Sequence, residues 1–458
     1  MKFLRNAILA FWAIGLPLSA RAQAPALTTF LVGTTTVTAS ALTTGRSHIW
    51  ELVWGPDNFL WMTERGGRIS RVDPATGQVQ LLLTVPDVTP TGESGLLGMV
   101  LHPDFATMPY VYAVYNYTAA GDLKEKLVRF TYSAAANSLT APQVLLGNIE
   151  ATTTHSGSRL LILPDRTLLM TTGDAQLQPE AQNRASLNGK ILRLNLDGTV
   201  PADNPTPGSL VFTLGHRNPQ GLVRLPDGRL YSSEHGPSSD DEINKIEVGR
   251  NYGWPNVHGN CNSASELTFC AANNVREPLT IWTPTIAPAG LAYYDHPAIP
   301  GWRGNLLLAT LKHQRLVQLP LNPAGDAITA RIEFLTNEFG RLRAICVAPN
   351  GKVYLGTSNG FNDRIIILEN RAYVATGTRA ASDFSFDLFP NPSRRQATVQ
   401  LPKANALLTL RDLVGRTVLT LRAAGTTATL DLSNLRPGTY LLQAQTAAGS
   451  ATRQMVVE

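Results

Sequence analysis

The chain has 458 residues, 43% of them hydrophobic and 16% charged. That is ordinary globular composition, with length for one large domain or two to three smaller ones. The formal net charge of +5 is local, because residues 371–458 hold ten Lys/Arg against five Asp/Glu and the rest is balanced. A neutral body lacks the basic face that phosphate binding needs, which excludes nucleic acid as the partner.

Residues 1–22 carry Lys2 and Arg5, then an apolar run, then the small-x-small site Ala20-Arg21-Ala22. They are expected to be a secretory signal peptide. No later stretch is apolar for long enough to cross a bilayer as a helix, so an exported protein without a transmembrane segment is expected.

From residue 40 to residue 370 helical periodicity is almost absent. One pattern recurs instead: "WGPDNFLWMTERGG" from Trp54, "LPDRTLLMTTGD" from Leu163, "LPDGRLYSSEHG" from Leu225 and "APNGKVYLGTSNG" from Ala348. Each joins Pro-Asp/Asn turn chemistry to a strand that ends in Gly or small polar residues. Looser copies start at His102 and Gly301. Six strand-turn-strand copies at spacings near 60 residues predict an all-β radial repeat, a six-bladed β-propeller over residues 23–370. A β-sandwich fits that spacing poorly. In a propeller the polar residues at equivalent positions converge at one end of a central channel.

Three Cys residues in an exported chain leave one unpaired. Cys261 and Cys270 bracket the loop-like "NSASELTF", where a local disulfide is expected. Cys346, in "AICVA", reads as a buried core residue.

The hairpin within "LGHRNPQGLVRLPDGRLYSSEHGPSSDDE", residues 214–242, carries polar chemistry at both ends. Arg217 and Asn218 precede it, and the backbone carbonyls of Gly236 and Pro237 follow. His155 lies in "TTTHSGSRL", Lys312 in "ATLKHQRL", and Arg341 and Arg343 in "FGRLRAICV". In a regular strand residues i and i+2 face one side, so Arg341 and Arg343 are expected to point together. With Arg217 and Lys312 they predict a channel of four cations suited to a small ligand with several carboxylates or phosphates. Ordinary pairing of each Arg with a neighbouring carboxylate is the alternative.

After residue 370 the composition changes. Residues 371–384 are small and polar, as in a linker. Residues 385–458 show short alternating strands, as in a small C-terminal β-sandwich. The order "FDLFPNPS", "LRDLVGRTVL", "LSNLRPGTYLLQ" resembles the C-terminal sorting domain of type IX secretion cargo. That resemblance implies engagement of the secretion machinery and a secreted or cell-surface location.

The strings "TLGHRNPQGL", "SEHGPSSDDEIN" and "GRNYGWPNV", with "GESGLLGMVLHPDF" upstream, resemble the soluble PQQ-dependent sugar dehydrogenases, the glucose/sorbosone dehydrogenase family. The likeness runs from about Arg46 to Asn370. It implies a six-bladed propeller, oxidation of an aldose or related sugar to its lactone, and an external electron acceptor. Residue by residue, it implies that His155 is the catalytic base and that Arg217, Asn218, Lys312, Arg341 and Arg343 hold PQQ, with Glu93 where the glucose branch has Gln. Gly236 and Pro237 would ligate a Ca²⁺ that touches PQQ, and oxygen-only ligation suits that ion. Glu242 and Tyr252 would form a second, structural calcium site. Thr154 stands where the glucose branch has Asp, and Trp282 matches an aromatic that covers the sugar; both are assigned to the substrate. His216 and His235 are expected to be supporting residues. A calcium-dependent lactonase-like hydrolase and a non-catalytic glycan-binding propeller are the rival classes.

Overall fold

The computed structural model describes residues 24–374, 386–402, 404–412, 416–446 and 449–458. The signal peptide at 1–22 lies outside them, as does most of the linker at 371–384. The fold is all-β and multi-sheet, and it separates into two compact units at Tyr373/Val374.

The first unit contains six antiparallel sheets. Their leading strands are Ile49–Trp54, Leu96–Leu101, Gly157–Ile162, Pro219–Arg224, Pro288–Tyr294 and Leu342–Val347. Each leading strand lies against that of the next sheet, and Leu342–Val347 lies against Ile49–Trp54. The sixth sheet is completed from the other end of the unit, because Thr35–Ser47 pairs with Phe361–Glu369 and Ala26–Val32 adds the outer edge. Inner strands are rich in Val, Ile and Leu because they are packed between neighbours, as with Leu168, Leu192, Leu308 and Ile366 at 0% exposure, while outer strands expose Leu81, Val144 and Ile332.

The Pro-containing turns at Pro56, Pro103, Pro164, Pro226 and Pro349 each join the first and second strands of a sheet. Antiparallel strands alternate their ends. Those turns therefore mark one edge of the unit, while the connections between second and third strands, and between sheets, gather at the other. Both ends of the 219–234 hairpin lie at that second edge.

Two expectations are corrected. The segment after Cys261 is not a loop, because Ala264–Asn273 is an α-helix. Its capping box is legible in "SASE": Ser263 accepts from Glu266 N, and the Glu266 carboxylate returns to Ser263 N. The Cys261–Cys270 disulfide ties the helix to the residues before it, and Cys346 is buried. The strict i, i+2 alternation at Arg341 and Arg343 also fails. The register shifts between Leu342 and Ala344, so Arg341 is exposed while Leu342, Arg343 and Ala344 are all buried.

In the second unit a three-stranded sheet (Asp387–Phe389, Gln396–Gln400, Thr427–Asp431) and a four-stranded sheet (Thr417–Ala423, Ala406–Asp412, Gly438–Thr446, Gly449–Val457) share one apolar core. Val399 and Leu430 from the first meet Leu408, Leu442 and Met455 from the second. Each unit thus has its own core. A chain ending at Tyr373 is expected to unfold within a few degrees of the full chain's first unit in a calorimetric scan. A large drop would mean that the second unit is needed for the first to fold.

Candidate functional site

The connections at the second edge interlock before any ligand is considered. Glu93 N donates to Thr153 O at 2.7 Å, and Ser94 Oγ donates to Thr152 O at 2.7 Å. These bonds place the connection carrying Glu93 against the one carrying His155. A Cβ on Gly173 would stand 1.7 Å from His155 O, so only glycine lets the next loop approach.

That loop supplies the partner of His155. Asp174 Oδ1 accepts from His155 Nδ1 at 2.8 Å, and Oδ2 accepts from Trp254 Nε1 at 2.8 Å. Asp174 is fully buried and also accepts from Gln176 N. A carboxylate can only accept, so Nδ1 carries a proton, and Nε2 is the nitrogen left with a lone pair when the ring is neutral. Gln176 reaches back to Thr154 Oγ1, fixing the residue before the histidine. Asp174 was not singled out in the sequence, where "TTGDAQ" reads as turn chemistry.

Arg343 is 8% exposed, and its one side-chain hydrogen bond among the described residues goes to Gln220 Oε1 at 2.8 Å. Among the described residues no carboxylate lies within ion-pair distance of it. Burial pushes its pKa down to about 10, and Arg341, Arg159 and Arg65 push the same way against Glu93. Arg217 is likewise lowered by burial, opposed by Asp174, Glu234, Asp241 and Glu93. Its Nη1 donates to His235 O at 3.2 Å, and its Nε is buried without a partner among the described residues. Arg65, missed in the sequence, donates to Gly92 O and contacts His48 Nε2 at 3.3 Å. The observed group is therefore Arg65, Arg217 and Arg343 around Glu93, with Arg341 near Arg65 and Arg343. Lys312 reaches the same edge, exposed, with its ammonium donating to Thr285 Oγ1 at 2.9 Å. The interactions that draw the arginines together do not include it.

Asn218 is fully buried and already engaged: its Oδ1 accepts from Gly157 N at 3.1 Å and Gln220 Nε2 at 2.9 Å. His235, expected to be only a support, keeps a buried Nε2 without a partner; burial pushes its pKa down to about 4. His216 is the support expected, fully buried between Thr213 Oγ1 and Glu234 Oε2 and stacked 4.6 Å from the Tyr252 ring.

Gly236 and Pro237 line a small polar cavity of about 20 Å³ with Glu234, Asp240, Glu242 and Tyr252. The structure thus gathers into one cavity the residues expected to form two separate metal sites. A Cβ on Gly236 would meet Ser239 O at 1.9 Å, so the turn closes only on glycine. Asp241 fixes that turn, accepting from Gly236 N at 2.8 Å and from Ile286 N and Ala287 N at 2.6 and 2.7 Å. Burial and the adjacent Glu234 hold Glu242 well above the usual carboxylate range. Tyr252 contributes no phenol oxygen, because its hydroxyl donates to Lys245 O and accepts from Glu247 N. No group of three or more His, Cys, Asp or Glu among the described residues is arranged to hold a metal. Any cation here would draw on backbone carbonyls beside the carboxylates that line the cavity.

Trp282 is not brought into this group. It is 8% exposed in a core cluster with Tyr231, Ile243 and Leu308, and the Arg331 guanidinium covers its ring at 4.4 Å. Aromatics beside the arginines are Trp254, 5.3 Å from Arg217, and Trp50, 5.8 Å from Arg343.

Behind these groups Glu125 is buried, with Oε2 accepting from Ser158 Oγ at 2.8 Å. Burial raises its pKa to about 8. Because the folded pKa lies above the unfolded value near 4.5, its contribution is full below that value and is lost as pH rises toward 8. The loss is about 1.4 kcal/mol per pH unit. Glu125→Gln is expected to abolish this slope and raise the melting temperature at pH 8. An unchanged slope would place the titration elsewhere.

Residues 46–366 match the glucose/sorbosone dehydrogenase family, and residues 387–458 match the secretion system C-terminal sorting domain. The chain is 33% identical over 387 residues to quinoprotein glucose dehydrogenase B of Acinetobacter calcoaceticus, covering 66% of this chain and 81% of that protein. It is 30% identical over 344 residues to aldose sugar dehydrogenase YliI of Escherichia coli, covering 70% and 90%. The PQQ-bound aldose sugar dehydrogenase of Streptomyces coelicolor superposes with a TM-score of 0.63 at 36% identity, covering 73% of this chain and 98% of that one. The sorting domain marks the chain for secretion or the cell surface. With that domain at its C-terminus, the chain belongs to the glucose/sorbosone dehydrogenase family.

Proposed function

We propose that the protein oxidises an aldose or related sugar to its lactone, using PQQ held by the arginine group and Ca²⁺ at Gly236 and Pro237, and passes the electrons to an external acceptor. The observation that carries this is Arg343, a buried cation with no carboxylate partner, set among Arg65, Arg217 and Arg341 beside the His155–Asp174 pair. A tricarboxylate matches that unpaired positive charge, and the partnerless Arg217 Nε and His235 Nε2 await acceptors or donors from a ligand.

The six sheets of the first unit are read as blades of a closed six-bladed propeller. The ring of neighbouring leading strands and the N-terminal strands in the last sheet support this. Residues 23–370 would form that domain and 385–458 a sandwich that engages the secretion machinery.

Arg343 and Arg217 would bind carboxylates, with Arg341 and Arg65 adding charge from the rim. Asn218, already committed to Gly157 and Gln220, positions the loop. Bound PQQ supplies the quinone that accepts hydride from the sugar. His155 Nε2 takes the hydroxyl proton, and Asp174 orients the ring and stabilises it once protonated. Thr154, tied to Gln176, offers a neutral contact to the sugar. The carbonyls of Gly236 and Pro237 with Glu242 suit a hard cation, since Ca²⁺ takes oxygen ligands and relieves the repulsion between Glu234 and Glu242.

The test is reconstitution. Protein freed of metal and cofactor, then given PQQ and Ca²⁺, is expected to reduce an artificial acceptor with aldoses, and to do so only with both present. Activity with PQQ after exhaustive chelation would remove Ca²⁺ from the proposal.

A further inference from the structure

The turn that presents His155 is held in an unfavourable shape. His155, Gly157 and Ser158 have φ of +57°, +68° and +69°, a region that residues with a Cβ rarely adopt. The register shifts between Gly157 and Leu160, so regular strand pairing does not impose this course. Side-chain ties do. Asn218 Oδ1 accepts from Gly157 N at 3.1 Å. Asn116 Nδ2 donates to Ser156 Oγ at 3.2 Å, while its Oδ1 accepts from Gly95 N at 3.1 Å.

A further tie depends on one proton. Ser158 Oγ lies 2.8 Å from Glu125 Oε2 and 3.2 Å from Ser156 O. A hydroxyl has a single proton to donate. While Glu125 is ionised both neighbours can only accept, so Ser158 donates to the carboxylate and Ser156 O goes without it. Once Glu125 is protonated the order reverses: Oε2 donates to Ser158 Oγ, and the Ser158 proton turns to Ser156 O. Both contacts are satisfied only in the second state. Glu125 Oε1 agrees, being buried with no hydrogen-bond partner among the described residues, which a neutral carbonyl oxygen tolerates better than a charged one. Ser158, Asn116 and Ser156 favour the carboxylate, but burial outweighs them and sets the titration near pH 8. The charged groups on the surrounding segments are committed elsewhere. Lys124, Lys126 and Arg159 pair with Glu150, Asp87 and Glu51, His155 pairs with Asp174, and Glu93 lies among the arginines.

We propose that Glu125 is a positioning residue for His155: its protonated carboxyl directs the Ser158 hydroxyl onto Ser156 O and fixes the turn that carries the base, and its ionisation releases that tie. This role rests on the reading of His155 as the base.

Two measurements on the full chain test it. Ser-Gly occurs twice in the sequence, at 94–95 and 156–157. Protein carrying ¹³C-carbonyl serine and ¹⁵N-glycine therefore gives two carbonyl-to-amide NMR signals, and Ser94→Ala leaves only that of Ser156. In the cofactor-free protein the Ser156 carbonyl is expected to move upfield as pH rises through about 8, because its hydrogen bond is lost. In Glu125→Gln it is expected to keep its low-pH position, since the amide donates to Ser158 Oγ at every pH. In Ser158→Ala it is expected to sit upfield throughout. With PQQ and Ca²⁺, wild-type kcat is expected to fall about fivefold over the same range, the worth of one neutral hydrogen bond, at unchanged PQQ affinity. Glu125→Gln is expected to remove that fall, and Glu125→Ala to show the reduced kcat at every pH. A Ser156 signal that does not move, or that moves equally in Glu125→Gln, overturns the proposal whatever the activity. So does a kcat that does not fall, or a fall that persists in Glu125→Gln and so belongs to another group such as Lys190, lowered by burial to about 7. A signal that switches in protein that oxidises no sugar overturns instead the reading of His155 as the base. If Ser158→Ala or Glu125→Ala fails to fold, the wild type and Glu125→Gln decide.

Discussion

Replacing His155 by Ala is expected to lower kcat by about 10² to 10⁴, the usual loss for a general base, while PQQ still binds. The side chain is held by Asp174 at Nδ1, which commits that nitrogen and leaves Nε2 as the proton acceptor. None of the arginines relies on it for position: Arg343 is fixed through Gln220, and Arg217 through the backbone of His235. The arginine group that would hold the cofactor's carboxylates therefore survives the substitution. Asp174→Asn is the companion variant. It keeps the size of the side chain, and the amide presents either an acceptor or a donor to the ring but lacks the charge. Its expected signature is a fall in kcat with an altered pH profile of kcat, because the protonated imidazole loses its counter-charge. If His155→Ala retains most of the activity, Glu93, set among Arg65, Arg217 and Arg343, is the next candidate base.

The contrast between what could and could not be read along the chain has a physical basis. Pro-Asp and Pro-Asn turns act within four residues, so the hairpins at Pro56, Pro164, Pro226 and Pro349 were legible. So was the edge of the unit at which the candidate residues at the two ends of the 219–234 hairpin meet, since a hairpin's two ends share an edge. The Ser263–Glu266 capping box was equally local, and its helix was missed for lack of an apolar stripe: none of its residues is buried. Asp174 was hidden for a different reason. Its role comes from contacts with His155 and with Trp254, 80 residues away, and no local pattern encodes such a meeting. Arg341 and Arg343 show the limit of periodicity. A bulge inserts one residue into the pairing and re-aims a side chain, and nothing in "GRLRAIC" announces it. Trp282 shows the limit of assigning roles by resemblance, since the same residue type at a similar position is packed under Arg331 in a core.

Replacing Arg343 by Met should separate the clamp from the base. In the free protein Arg343 is a buried cation favoured by Glu93 and opposed by Arg341, Arg159 and Arg65, with Gln220 as its hydrogen-bond partner. Its removal is therefore expected to leave the melting temperature of the cofactor-free protein unchanged or higher, since a buried charge that Glu93 compensates only in part is replaced by an apolar chain over Trp50. With PQQ the sign reverses. A carboxylate that would have been paired is left desolvated and alone, which costs about 2 to 5 kcal/mol in comparable buried pairs. At one unit of affinity per 1.4 kcal/mol, PQQ is expected to bind roughly 30- to 4,000-fold more weakly. Its stabilisation of the fold, read as the rise in melting temperature at fixed PQQ, is expected to shrink accordingly. Excess PQQ should then restore part of the activity to Arg343→Met and none to His155→Ala, because mass action refills a weakened site and cannot replace a missing base. If both variants respond alike to added PQQ, His155 is a cofactor ligand and the division of roles is wrong. If Arg343→Met lowers the stability of the cofactor-free protein by several degrees, the guanidinium is a structural tie rather than a clamp, and the anion site must lie on Arg217 and Arg65.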